Sequence, residues 1–345
     1  MTALTGVLAG CSSTPSSQQN PASSEKRRSS SEERPSGSHS APSSSRSPGK
    51  RQPAPWALDR IDQRGPRLDG SFRTEATGEG VTMYFIDTGI DARHEQFSGR
   101  ASWGTDVIRS DGKRDCHDET GLGHGTFVAG IAGGRTTGVA KKARIVEVKA
   151  LECSEGTGGR LNQQQRIAKV VEAADWVTAH AERPAVVNMS LNFRRPAPRL
   201  RAAVEGMTRA GLTVVVSAGN HGADACTYPP ANVPSVITVA ASDQRSKHAD
   251  DGFVRSNAGE CVDLYAPGSR ITSALAEGGT STDEDKIATS WAAPFVTGTV
   301  ALRLSEHPDA TPAEVKEWII ERSTRGAIEN PPPGTPNRLL YAGGL

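Results

Sequence analysis

No apolar run in the sequence approaches the ~18 residues needed to cross a bilayer, and neither a Gly-X-Y period nor a heptad period runs through it. Transmembrane, collagen-like and coiled-coil proteins are therefore excluded. Neither charge is in excess: 40 Lys plus Arg face 39 Asp plus Glu, a net charge of +1 with His neutral. A nucleic acid as main partner would select a strong basic surplus, so none is expected. Cysteine is scarce, at five residues with no C-x-x-C pair, which removes the usual zinc spacing. Aliphatic residues are almost missing from positions 12–53, and this helps hold the hydrophobic share of the whole chain at 35%.

Three regions follow from composition. Residues 1–11 read M-T-A-L-T-G-V-L-A-G followed by Cys11, and Leu8-Ala9-Gly10-Cys11 resembles a bacterial lipobox, a signal whose Cys is lipidated and becomes the new amino terminus. A lipid there would tether the protein to a membrane without making it span one. The other reading is a disordered leader with an incidental Cys. Residues 12–53 are rich in Ser, with Pro and the basic clusters Lys26-Arg27-Arg28 and Lys50-Arg51. Such a segment buries too little apolar area to offset its ordering entropy and is expected to be a disordered stalk. Residues 54–345 hold the apolar patterning and are expected to form one large α/β domain. Cys116, Cys153, Cys226 and Cys261 lie within it, an even set that favours disulfides in an oxidising compartment. Three pairings are open.

The domain reads as alternating strands and helices. Val81 to Ile86 is a short β-branched and aromatic run, and Arg144 to Leu151, Ala185 to Leu191, Leu212 to Ser217 and Ser235 to Ala240 repeat the pattern. Between Leu161 and His180, Ile167, Val170, Val171, Ala174 and Val177 recur at three and four, on one helix face. Pro198 to Ala210, Trp291 to Glu306 and Pro312 to Arg322 complete the helices. Nearly continuous apolar strands joined by helices predict a mostly parallel central sheet with helices on both faces. Sites in such sheets form at the carboxyl ends of the strands.

Polar motifs fall at those ends. Asp87 closes a strand in Y-F-I-D-T-G-I, His124 opens an apolar helix in G-L-G-H-G-T-F-V-A-G, and Ser290 lies at a helix start in A-T-S-W-A-A-P-F-V-T-G. Each alone reads as a turn aspartate, a helix cap or an N-cap serine. Together they supply what nucleophilic catalysis requires. A hydroxyl attacks once an imidazole can take its proton, and a buried carboxylate fixes the imidazole's tautomer. Asn220, in V-V-V-S-A-G-N-H-G, adds a carboxamide that can stabilise an oxyanion.

With these motifs, and with A-P-W-A-L-D-R-I, V-V-N-M-S-L, P-S-V-I-T-V-A-A-S-D and V-D-L-Y-A-P-G, the chain resembles the subtilisin-like serine proteases, most closely the proteinase K and aqualysin branch. The resemblance implies a three-layer subtilisin-like fold and a secreted or surface-anchored endopeptidase acting as a monomer on polypeptides. Asp87 would orient, His124 serve as acid and base, Ser290 attack, and Asn220 donate to the oxyanion. Substrate would lie extended between Gly156, Thr157, Gly158 and Ser190, Leu191, Asn192. Ser217, Ala218 and Gly219 would line the pocket for the residue before the scissile bond. The resemblance also implies the pairings Cys116 with Cys153 and Cys226 with Cys261, and a structural Ca²⁺ held by Asp243 and the carbonyls of Pro234 and Val236.

The chain departs from the family at several points. The residue before Thr-Ser is Ala288 instead of Gly, and the one after is Trp291 instead of Met. Phe127 and Phe295 replace two His, and these rings are expected to pack in one buried cluster beneath the site. Asn192 and Phe193 stand where S-L-G-G has its glycines, putting side chains where a substrate backbone should pass. A surface-anchored peptide-binding protein on a protease scaffold is the rival reading. A small-molecule esterase is disfavoured because no G-x-S-x-G elbow is present.

Overall fold

A computed structural model of the chain describes residues 54–109, 122–153 and 161–345. The lipobox, the stalk and Cys116 lie outside these residues. A first short helix, α1 (Trp56–Ile61), is followed by β1 (Thr82–Asp87), β2 (Ala101–Asp106), α2 (His124–Gly133), β3 (Arg144–Lys149) and α3 (Gln163–His180). Next come β4 (Ala185–Met189), α4 (Pro198–Arg209), β5 (Thr213–Ser217), β6 (Ile237–Ser242) and β7 (Leu264–Pro267). The chain closes with β8 (Ser269–Ala274), β9 (Thr280–Ile287), α5 (Thr289–Glu306), α6 (Pro312–Arg322), β10 (Thr324–Arg325) and β11 (Arg338–Leu339).

Among the described residues one sheet runs in the order β10-β11-β7-β6-β5-β4-β1-β3-β2, parallel throughout except for the β10–β11 pair. The β8–β9 hairpin forms a separate antiparallel ribbon. The side-chain period of two gives β1 and each of β3 to β7 a foot in both cores. Met83 and Phe85 of β1 enter one cluster with α2, α5 and α6, whereas Tyr84 and Ile86 enter the other with α3 and α4. The expected three-layer α/β architecture is thus present. On α3, Val170, Ala173, Ala174 and Val177 are the fully buried stripe, flanked by half-buried Ile167 and Val171. A reciprocal capping box between Asn162 and Gln165 starts this helix. Helix α5 is different: it runs through the middle of its layer and is buried on nearly every side. Such helices read as uniformly apolar instead of amphipathic. No described helix is long and apolar enough to cross a membrane.

Candidate active site

Asp87 ends β1 fully buried, and its Oδ1 accepts from the Thr88 amide at 2.7 Å. His124 is the first residue of α2, and its Nδ1–H donates to the same Oδ1 at 2.7 Å. The glycine after His124 permits this approach. A Cβ on Gly125 would fall 2.2 Å from the Gly89 carbonyl oxygen, so any larger residue would push the start of α2 off the turn that follows Asp87. The Gly125 amide instead donates to Thr88 Oγ1 at 3.1 Å. Asp87 Oδ2 remains buried with no donor.

Ser290 lies in the first turn of α5, where amide N–H groups have no intrahelical partner and the helix dipole is positive. Two reciprocal bonds pin it to the end of β4: Ser290 Oγ donates to the Ser190 carbonyl at 3.2 Å, and Ser190 Oγ donates to the Ser290 carbonyl at 3.0 Å. Beneath them Asn188 Nδ2 donates to Ser190 Oγ and Thr297 Oγ1 to Asn188 Oδ1, at 3.0 and 2.8 Å. Asn220 follows β5. Its Oδ1 accepts from both the amide and the hydroxyl of Thr289, each at 2.8 Å, while Thr289 Oγ1 accepts from the Gly219 amide at 3.0 Å. Fixing Oδ1 in this way turns Nδ2 in the opposite direction, without a protein acceptor among the described residues.

The ring after Ser290 joins the two halves of the site. Trp291 lies with its centroid 5.2 Å from the His124 imidazole and 4.6 Å from Phe127. Its Nε1–H donates to Asp283 Oδ2 at 3.1 Å, which anchors the indole to the β8–β9 ribbon. Phe127 and Phe295 are both buried in one core cluster, as the pair of substitutions suggests, but the ring that touches Phe127 is Trp291 and not Phe295. The larger indole reaches into the space between the helices and takes the contact.

Ser190, Leu191 and Asn192 follow β4, and Ser217, Ala218 and Gly219 close β5 and the turn after it. Asn192 bridges the two segments: its Nδ2 donates to the Ser217 carbonyl at 2.8 Å and its Oδ1 accepts from Ser217 Oγ at 3.1 Å. Gly156, Thr157 and Gly158 lie outside the described residues. Cys226 and Cys261 are bonded, with Cα atoms 5.3 Å apart.

The calcium expectation needs correction. Asp243 Oδ1 accepts from the amides of Arg245 and Lys247, at 2.9 and 2.7 Å, and so closes its own turn. The Pro234 and Val236 carbonyls are occupied by a side chain, the Lys316 ammonium, at 3.0 and 2.6 Å. A cation is held at this place, but it is covalently part of the chain: the Lys316 ammonium fills the position that Ca²⁺ would take between these carbonyls. No cluster of three His, Cys, Asp or Glu side chains that could hold a metal ion occurs among the described residues.

Sequence patterns did not reveal Thr289, Asn188, Thr297 or Asp283 as supports of the site. Thr289 and Thr297 lie in the motif around Ser290 and Asn188 lies in V-V-N-M-S-L, but neither motif says what these side chains hold, and Asp283 carried no signal.

Comparisons with known proteins agree with this architecture. The model of the subtilase family matches residues 78–339. An extracellular serine proteinase of Thermus sp. (strain Rt41A) is 43% identical over 292 residues, covering 84% of this chain and 67% of that one. Alkaline serine exoprotease A of Vibrio alginolyticus is 40% identical over 288 residues, covering 83% of this chain and 50% of that one. The chain thus spans between half and two thirds of the length of these two relatives. Among solved structures, a cold adapted subtilisin-like serine proteinase superposes with a TM-score of 0.75 at 39% identity, covering 84% of this chain and 98% of the other.

Proposed function

The chain belongs to the subtilase family, a family of serine peptidases, and from that membership and the geometry above we propose that it is a serine endopeptidase working through an acyl-enzyme on Ser290. The observation that carries the reading is the 2.7 Å contact between His124 Nδ1 and Asp87 Oδ1 at the edge where Ser290 opens α5. With its proton on Nδ1, the imidazole presents a basic Nε2. Ser290 Oγ leaves the Ser190 carbonyl, gives its proton to Nε2 and attacks the substrate carbonyl carbon. The resulting oxyanion is held by Asn220 Nδ2–H and by the Ser290 amide at the helix start. His124 returns the proton to the leaving amine. Water then attacks the ester by the reverse route, which frees the acid product and restores the hydroxyl.

The substrate is a polypeptide laid along the segment at 190–192, with 217–219 facing the residue before the scissile bond. Asn192, bridged to Ser217, narrows that place and restricts which side chains enter it. The protein acts outside the cytoplasm, as supported by the Cys226–Cys261 disulfide and by the name of the Thermus relative. Cys11 is proposed as a lipid anchor on its sequence alone, and Cys11→Ser should abolish labelling of the chain by a radiolabelled fatty acid.

Covalent capture tests the central reading. A fluorophosphonate probe should label the protein on Ser290, and Ser290→Ala should neither label nor hydrolyse denatured casein. Wild-type protein that fails to label would favour a peptide-binding scaffold without turnover.

A further inference from the structure

We propose that Lys316 is a built-in cation that takes the place of a metal ion, so that the corner of the fold joining α6 to β6 and β7 is held together without calcium.

The geometry accounts for every proton of the ammonium. Lys316 Nζ carries three N–H donors and faces three oxygens: the Pro234 carbonyl at 3.0 Å, the Val236 carbonyl at 2.6 Å and Asp263 Oδ2 at 2.9 Å. Two carbonyls and a carboxylate make the oxygen-only donor set that suits a hard cation. Calcium would sit ~2.3–2.6 Å from the same oxygens, in the volume that Nζ already fills, so the two occupants exclude each other. Charge argues the same way. The Lys316–Asp263 pair is neutral, and Arg338 adds a further positive charge acting on Asp263.

The three oxygens come from separate pieces of chain, and this is why a cation matters here. Residues 234 to 236 lead into β6, and Asp263 precedes β7 while its Oδ2 also accepts from the Thr238 amide of β6 at 2.8 Å. Lys316 stands on the second turn of α6, a helix started by a reciprocal capping box of Thr311 and Glu314. A free ion at this place would dissociate and leave the corner open to chelators. A tethered ammonium has no such equilibrium, and its stem replaces the hydration that an ion would keep. Burial pushes the Asp263 carboxyl up while Lys316 and Thr238 pull it back, so the carboxylate depends on its cation. A cleft of about 880 Å³ lined by Pro234, Ser235, Lys316 and Glu317 gives small ions a path to this place once the side chain is shortened.

Thermal unfolding tests this in a Ser290→Ala background, which suppresses self-digestion, with excess calcium or with EDTA. Lys316→Ala should lower Tm in EDTA by roughly 5–15 °C, the scale of breaking a partly buried ion pair in a domain of this size. Calcium should then return part of that loss, an increment that the Lys316-containing parent does not show. Lys316→Met, which fills the space without a charge, should fall similarly and gain nothing from calcium. An Ala variant as stable as its parent in EDTA, or a calcium increment equal in both, would overturn the proposal. A second readout does not depend on how well the Lys316 variants fold. Asp263→Asn in the Lys316-containing protein should leave the number of calcium ions bound in a calorimetric titration unchanged, and loss of one ion would overturn the proposal.

Discussion

The sheet carries a polar cluster at each of two opposite edges, and they are built on opposite principles. At the carboxyl ends of β1, β4 and β5, the groups proposed for catalysis are incompletely satisfied: Asp87 Oδ2 is buried without a donor and Asn220 Nδ2 without a protein acceptor. At the amino ends of β6 and β7, Lys316 meets three acceptors with three protons and Asp263 accepts from two donors. A buried polar group left without a partner costs ~1 to 3 kcal/mol. Asp87 Oδ2 therefore carries such a cost at one edge, where half-buried Asn220 also leaves its Nδ2 without a protein acceptor among the described residues. The other is closed and holds the fold. The difference teaches where each kind of substitution should act.

Crossing the two edges gives the largest contrast. Ser290→Ala should reduce kcat by about 10⁶, the size of that loss in subtilisin itself, with Tm within a degree or so of wild type. Lys316→Met should do the reverse, lowering Tm while turnover well below the transition stays at the wild-type level. Calorimetry and peptide-ester hydrolysis on both variants check this. A Lys316→Met variant that loses turnover while still folded would break the separation.

The next effect tests the unfilled donor. Asn220→Ala should lower kcat by about 10²–10³, as removal of this donor does in subtilisin, with KM little changed. Asn220→Asp keeps an oxygen for Thr289 and removes the N–H donor, so it should be at least as slow. Recovery of activity in the Asp variant would mean that Asn220 acts by holding Thr289 and not by donating.

A smaller effect concerns selectivity. Asn192→Gly removes the bridge to Ser217 and opens the space between the two segments, so larger side chains before the scissile bond should gain. Burial of one added methylene is worth ~0.8 kcal/mol, and on a peptide library a gain of roughly tenfold for aromatic over alanine substrates is expected. An unchanged profile would show that the bridge lies outside the path of the substrate.

How much of this was legible in sequence depended on the kind of signal. The β1, β4, β5 and β6 runs are nearly continuous apolar stretches, readable because both faces are buried, and β3 was readable through Ile145, Val146 and Val148 although it also buries Glu147 and Lys149. β2 was missed because it is a partly exposed edge strand, A-S-W-G-T-D, and β9 because T-S-T-D-E-D-K-I alternates nothing. Asp87, His124, Ser290 and Asn220 stood out because glycines and strand ends frame them. Their supports did not, since Asn220 meets Thr289 across 69 residues and Asn188 meets Thr297 across 109. The choice of Asp243 as calcium ligand failed for the same reason. Asp243 lies directly after β6 in sequence, whereas Asp263 is brought to Thr238 by the β6–β7 pairing, a register that no local pattern encodes.

The smallest effect lies behind the working edge, at the Asp283 carboxylate that holds Trp291. Burial pushes this carboxyl up from 3.8, and Lys286 and the indole N–H pull against that push. A carboxyl raised in the folded state binds more protons there than in the unfolded chain as pH climbs past the unfolded value. Stability from this group therefore falls as pH rises through that window and is recovered on acidification. Asp283→Asn keeps an oxygen to accept from Trp291 Nε1 and removes the charge. In the Ser290→Ala background its Tm should match the parent at acid pH and exceed it slightly near neutrality. Trp291→Phe keeps a ring beside His124 and Phe127 but leaves the charged form without its donor, so the fall of stability with rising pH should steepen. Opposite shifts in the two variants would locate the cost in the buried carboxylate. A Tm that depends on pH identically in all three proteins would remove Asp283 from the working edge, and with it the claim that the supports of this site are less fully satisfied than the Lys316 corner.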